Sequence, residues 1–192
     1  MSELDESIRR DLLDRWSQPH RRHHTVRHLL EVLTAIDQLA RLGEQFDRVP
    51  VELATWFHDA VYEIGSTDNE VASAQLACGA LGAHQKIGEI ERLILLTMTH
   101  QVAGEDNNGA VLCDADMSIL GSSPERYRAY AAAVRDEYAA VPDKVFYPAR
   151  AAFVQTTLDS GQIFFSAAGH ALWEDAARTN LTAELETLAS QL

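Results

Sequence analysis

Apolar residues recur along most of this chain at intervals of three and four, the spacing of one helix face, and almost nothing alternates as a half-buried strand would. Leu4, Ile8, Leu12, Leu13 and Trp16 form the first stripe. Val26, Leu29, Leu30, Leu33 and Ala40 form the second, which predicts a helix from near Thr25 to about Arg41 with Gly43 as its stop. Pro50, tolerated as a first helical residue, introduces Leu53, Trp56, Phe57, Ala60 and Val61, a buried helix expected to end near Glu63-Ile64-Gly65. Thr67-Asp68-Asn69-Glu70 reads as a capping box opening an Ala-rich helix to about Ala80, where Gly79 and Gly82 break the pattern. Ile87, Ile90, Ile94 and Met98 mark another helix ending near His100, followed by a polar loop from Gln101 to Gly109 containing Asn107-Asn108-Gly109. An apolar run from Val111 to Leu120 comes next. Ser123-Pro124-Glu125 then supplies an N-cap and a proline at the first helical position, for a helix through Tyr127, Tyr130, Val134 and Tyr138. Pro142 and Pro148 are expected to interrupt the next segment, leaving helices from about Ala149 to Asp159 and from about His170 to Leu192. The pattern predicts an all-α fold. With no repeat, low-complexity tract or dividing linker, residues 1–192 read as one domain.

Charge and composition narrow the partners. A formal net charge of −13 argues against a surface for duplex DNA or anionic membrane, but a bound cation and a few arginines can still reverse the local field for a small phosphorylated ligand. No apolar run approaches the roughly 20 residues that span a bilayer. The segment Met1-Ser2-Glu3-Leu4-Asp5-Glu6 lacks the basic region and apolar core of a signal peptide. Cys78 and Cys113, far apart and in unrelated contexts, read as reduced thiols, which points to a cytoplasmic protein.

The chemistry lies where ionisable groups enter apolar runs. His58-Asp59 follows Trp56-Phe57, and burying that pair without a partner would be expensive. A divalent ion would compensate it, or the aspartate could bond its own histidine. His24 and His28, four apart, share a helix face; His28 is flanked by Leu29 and Leu30, whereas the arginines around His20 and His23 suggest a solvated helix end there. In Asp114-Ala115-Asp116, carboxylates two apart face different ways, so one can coordinate while the other orients or caps. His100 closes an apolar helix and reads as a polar end residue when taken alone. Two imidazoles and two carboxylates suit Mn, Fe, Co, Ni or Zn better than Ca or Mg. Such a set leaves positions open for water, which a divalent ion turns into a nucleophile near neutral pH.

The order His28, His58-Asp59, Asp116 resembles the H…HD…D pattern of the HD-domain superfamily of metal-dependent phosphohydrolases. His24-Thr25-Val26-Arg27-His28, Phe57-His58-Asp59, Asp68-Asn69-Glu70 and Asp114 to Gly121 are similar to a bacterial group of predicted HD-superfamily phosphohydrolases. That likeness runs on through Arg135-Asp136-Glu137-Tyr138, Arg150 and Ala177 to Leu181. The resemblance implies a helical HD bundle in which His28, His58, Asp59 and Asp116 hold a metal in the core. Asp116 is preferred to Asp114 because it follows a small residue and precedes an apolar helix. The pair His24 and His28 also resembles that of cyclic nucleotide phosphodiesterases, which implies His24 as general acid. His23 stands where this group usually has tyrosine. A second ion would draw on His100, with His84 the weaker candidate; failing that, His100 counts with Arg135 and Arg150 among the expected substrate-binding residues. Asp68 or Glu70 could orient a ligand histidine, although a helix start already explains that stretch. Arg135 and Arg150 could clamp a phosphate or else pair with Asp136, Glu137 or Asp143, and the three tyrosines at helical spacing default to core packing. The expected activity is hydrolysis of a small phosphate ester, a nucleotide above all. Its rivals are an HD-fold di-iron oxygenase and a non-catalytic module binding nucleotide or metal.

Overall fold

The computed structural model describes residues 4–191; Met1, Ser2, Glu3 and the expected helix end at Leu192 lie outside them. Among the described residues the chain is all-α, with no strand. The helices are α1 (Glu6–Trp16), α2 (Val26–Arg41), α3 (Arg48–Phe57), α4 (Asn69–Leu81), α5 (Ile87–Leu96), α6 (Asn107–Met117), α7 (Pro124–Glu137), α8 (Asp143–Asp159) and α9 (Ala167–Ala189), with a 3-10 turn at Ser118–Gly121. None of the described helices is long and apolar enough to cross a membrane.

The apolar stripes become two cores. Leu12, Trp16, Leu29, Ile36, Leu39, Phe57, Leu93, Ile94 and Leu112 belong to the first, built from α1 to α6. Leu120, Tyr127, Val154, Phe164 and Leu181 belong to the second, built from the 3-10 turn and α7 to α9. Trp173 packs against both. Leu30, expected inside, is exposed; the buried face of α2 is carried by Leu29, Val32, Ile36 and Leu39, the stricter i, i+3, i+7, i+10 stripe.

Several boundaries differ from the sequence pattern for local reasons. Helix α2 ends as expected at Arg41, and Gly43 after it, with φ of 101°, turns the chain so that the Glu44 N–H reaches the Leu39 carbonyl. Helix α3 begins before Pro50 and stops at Phe57, well short of Gly65. Proline is harmless in the first turn, where backbone N–H groups lack helical partners. The sequence Asn107-Asn108-Gly109 is the first turn of α6 rather than loop, because the Asp106 side chain accepts from the Gly109 N–H. Helix α4 starts at Asn69 after Asp68, with no side-chain cap bond, so the capping box does not form. Pro148 lies inside α8 and does not interrupt it. Ser123 caps α7 through the Arg126 N–H, with Pro124 at the first position.

Asp114 joins the two cores. From α6 it accepts the Phe165 N–H at 2.7 Å, the Ser166 N–H at 2.7 Å and the Ser166 hydroxyl at 2.6 Å, while Ser166 itself caps α9. A Cβ at Gly169 would overlap that carboxylate. Replacing Asp114 with alanine strands the buried Ser166 N–H and the half-buried Phe165 N–H and is expected to cost about 2–4 kcal/mol in denaturant unfolding.

Candidate metal centre

Helix α3 delivers His58 and Asp59 at its C-terminal end, where the last carbonyls need donors. Trp16 Nε1 donates to the Trp56 carbonyl and His58 Nδ1 reaches that of Thr55. Just past the helix, buried Arg21 donates to the carbonyls of Asp59 (2.8 Å), Ala60 (3.2 Å) and His24 (3.0 Å), and so ties the 21–24 loop to the turn after α3. Burial lowers its pKa from the usual arginine range, opposed by Asp59 and Glu137. The loop expected to be solvated is therefore structural, and His20 Nε2 reaches the Tyr62 carbonyl at 2.9 Å.

His58 is fully buried against Trp16, whose ring centroid lies 5.4 Å from its own. Its Nδ1 is 2.9 Å from the Thr55 carbonyl. A carbonyl can only accept, so Nδ1 carries a hydrogen and Nε2 faces the site. That buried Nε2 has no hydrogen-bond partner. It lies 3.4 Å from Asp59 Oδ2 and 3.5 Å from Asp116 Oδ1. His28 Nε2, from α2, is 3.0 Å from the same Asp116 oxygen and 3.9 Å from Asp59 Oδ2. One ligand atom each from His28, His58 and Asp59 lies within 4.8 Å of the others, a cluster that could hold a metal ion. Asp116 joins it through both histidines. Adjacent ligands on an ion with bonds of about 2.1 Å sit about 3.0–3.4 Å apart, so this spacing fits one ion after small adjustments.

The charges fit as well. Burial would lower the His58 pKa, but Asp59 and Asp116 outweigh it and lift it to about 9. Asp116 pays a large burial penalty yet sits well below the usual carboxylate range, held there by His58, His100 and His28. The proton that Asp59 and Asp116 hold on His58 occupies the place a cation would take. His100 Nε2 donates to Asp116 Oδ2 at 2.9 Å, and His100 is the one described non-glycine residue with positive φ, 52°. Strain of this kind collects at functional sites. His100 therefore orients the carboxylate whose other oxygen faces His28 and His58.

His24 stands beside the cluster, its Nε2 4.0 Å from Asp59 Oδ2 and its ring stacked on Tyr62 at 4.2 Å. Its Nδ1 bonds Glu137 Oε2 at 2.7 Å. Burial opposes its charge, but the Glu137 bond and Asp59 together raise its pKa. Glu137, at the end of α7, also accepts the N–H groups of Arg22, His23 and His24 at 2.7–3.0 Å through Oε1. Against its own burial, those bonds bring its pKa down to about 2. Glu137 had a sequence signal: it falls on the apolar stripe of Tyr127, Tyr130 and Val134, where a carboxylate needs a buried donor.

Other candidates lie elsewhere. Asp114 points away from the cluster into the 165–166 backbone, and burial lifts its pKa to about 6 against those hydrogen bonds. Arg135 is spent on the Tyr138 and Val141 carbonyls and on Asp143, closing the end of α7, and does not line the cavity beside the cluster. Arg150 does line it, held in a two-point pair with Glu184 at 2.9 and 3.0 Å and donating to the Tyr130 hydroxyl at 3.2 Å. Asp68 is exposed, and Glu70 reaches the cavity wall; among the described residues neither bonds a histidine of the cluster. Thr55 does that work for His58. His84 accepts the Lys86 N–H in the turn before α5, away from the cavity. Tyr127 is core, with its hydroxyl on Glu184, while Tyr130 and Tyr138 line the cavity.

Comparison with protein-family models, with curated proteins and with solved structures yields no match.

Proposed function

We propose that this protein is a metal-dependent phosphohydrolase of the HD superfamily acting on a small phosphate ester. The observation that carries this reading is the buried His58 Nε2, without a hydrogen-bond partner and ringed by His28, Asp59 and Asp116. His28, His58, Asp59 and Asp116 would hold one divalent ion, and their mixed imidazole and carboxylate set suits Mn, Fe, Co, Ni or Zn. Such an ion supplies Lewis acidity toward a phosphoryl oxygen and acidifies water near neutral pH. His24 holds a proton on Nε2 at the edge of the cavity and passes it to the departing alkoxide oxygen. Glu137, ionised and bonded to Nδ1, keeps that imidazole oriented and charged. Tyr62 stacks beneath the same ring and limits its rotation. Arg21 holds the turn bearing Asp59 against the loop bearing His24, so acid and ligand keep their spacing.

The test is phosphate release from a panel of esters by protein loaded in turn with each of these metals. Asp59→Ala is expected to lower the metal-dependent rate by at least about 100-fold. Equal background release by the loaded protein and the variant would sink the hydrolase reading. Two irons per chain with oxygen consumption would replace it with a di-iron oxygenase, for which His100 on the second oxygen of Asp116 is the relevant feature. Metal-dependent stabilisation without turnover of any ester would indicate a binding module.

A further inference from the structure

The cavity beside the metal cluster measures about 630 Å³, within the range of small-molecule sites, and its two ends differ in chemistry. The histidines and carboxylates occupy one end. The other wall is a face of α8, where Val145, Phe146, Ala149 and Phe153 follow helical spacing, with Met98 also on the lining. Six large apolar side chains are exposed among the described residues; three of them, Met98 (46%), Val145 (53%) and Phe153 (39%), line this one cavity. Exposed apolar surface gathered at one mouth marks a binding surface.

Several of the polar groups near that wall are already engaged. Arg150 is the one Arg or Lys among the described lining residues. Glu184 neutralises it in a two-point pair, and its guanidinium lies over the rings of Tyr130 (5.2 Å) and Phe153 (4.9 Å). The Tyr130 hydroxyl accepts from Arg150, the Thr97 hydroxyl donates to the Ile94 carbonyl, and the Asn69 amide bonds the Glu63 backbone through both ends. Glu70 adds a carboxylate to the lining. A second or third phosphate would meet no uncompensated Arg or Lys here, and ribose hydroxyls would meet few unspent partners.

We infer that the substrate carries one phosphate, and that the group esterified to it is an apolar aryl or alkyl alcohol lying against the α8 wall. This rests on the phosphohydrolase reading and puts an apolar ester in place of the nucleotide expected from sequence. The experiment measures binding of 1-naphthylphosphonate, methylphosphonate and ATP to Mn-loaded protein by calorimetry, and turnover of 1-naphthyl phosphate beside ATP. The naphthyl compound is expected to bind about 10- to 100-fold tighter than the methyl one. Val145→Asp places a charge on the wall in the first turn of α8, where a carboxylate suits the helix. It is expected to cut the naphthyl-to-methyl ratio about fivefold while the melting temperature is kept. Equal affinities for the two phosphonates, a ratio unmoved in Val145→Asp, or ATP handled more efficiently than 1-naphthyl phosphate would each overturn the inference. The expected binding ratio with no ester turned over would overturn the hydrolase reading alone and leave the apolar recognition supported.

Discussion

Replacing Glu137 with alanine is expected to destabilise the protein by about 3–5 kcal/mol. The carboxylate is buried and accepts the N–H groups of Arg22, His23 and His24 on one oxygen and His24 Nδ1 on the other. The Tyr62 hydroxyl donates to it as well, at 3.3 Å. Alanine leaves these donors facing a void and an imidazole without its counter-charge. Glutamine keeps the volume and should recover part of the loss, but its amide offers one acceptor oxygen where two are used. Urea unfolding of the three proteins measures the difference. The pH dependence separates charge from shape. Glu137 titrates at about 2 when folded, below its ordinary value of 4.5. Its ionised form therefore stabilises the fold fully above about pH 4.5, and that contribution is lost as pH falls toward 2. Glu137→Gln should flatten this part of the stability–pH curve.

Glu137 also shows where sequence reading stops. The helices were legible because their stripes follow local spacing, and the ordered polar intrusions at His28, His58-Asp59 and Asp116 stood out because charge in an apolar run demands an explanation. The meeting of α7 with the 22–24 loop was not legible, since it joins positions more than 110 apart in the chain. Arg21 illustrates the same blindness. Among His20, Arg22 and His23 it looked like part of a solvated basic loop, yet it is buried against the carbonyls of the turn that follows α3. Asp114 and Asp116 were both candidates because spacing says only that they diverge. Which one faces the histidines depends on where α9 docks, and the N–H groups of Phe165 and Ser166 draw Asp114 to that side. Asn107-Asn108-Gly109 was misread because it lies in the first turn of α6, where ordinary breakers cost little. Pro148 was misread because α8 carries it in its second turn, without the break expected there. The α8 wall was hidden too, because the helix was expected to begin only near Ala149, whereas Val145 and Phe146 lie on its first turns and face the cavity with Phe153.

Replacing Asp116 with alanine is expected to weaken metal binding by at least about 100-fold and to change how the remaining binding depends on pH. In the metal-free protein His58 titrates at about 9, lifted against burial by Asp59 and Asp116. A histidine must give up its site-facing proton to coordinate, so at pH 7 a metal ion competes with that proton. Apparent affinity should rise about tenfold per pH unit up to roughly pH 9 and level off above it. Calorimetry in buffers of different ionisation enthalpy should detect one proton released per ion bound near neutrality. Removing Asp116 deletes one of the two charges that raise His58, so its pKa falls and the plateau should begin at lower pH. The same titration governs the metal-free fold. The His58 pKa lies above its ordinary 6.5, so the stabilisation it contributes is complete below that value and is lost as pH climbs through about 9. A thermal melt of metal-free protein should therefore soften between those pH values, and saturating metal should remove the softening. If affinity proves independent of pH from 6 to 9, or if Asp116→Ala binds metal as tightly as the parent, the carboxylate is not part of the metal centre.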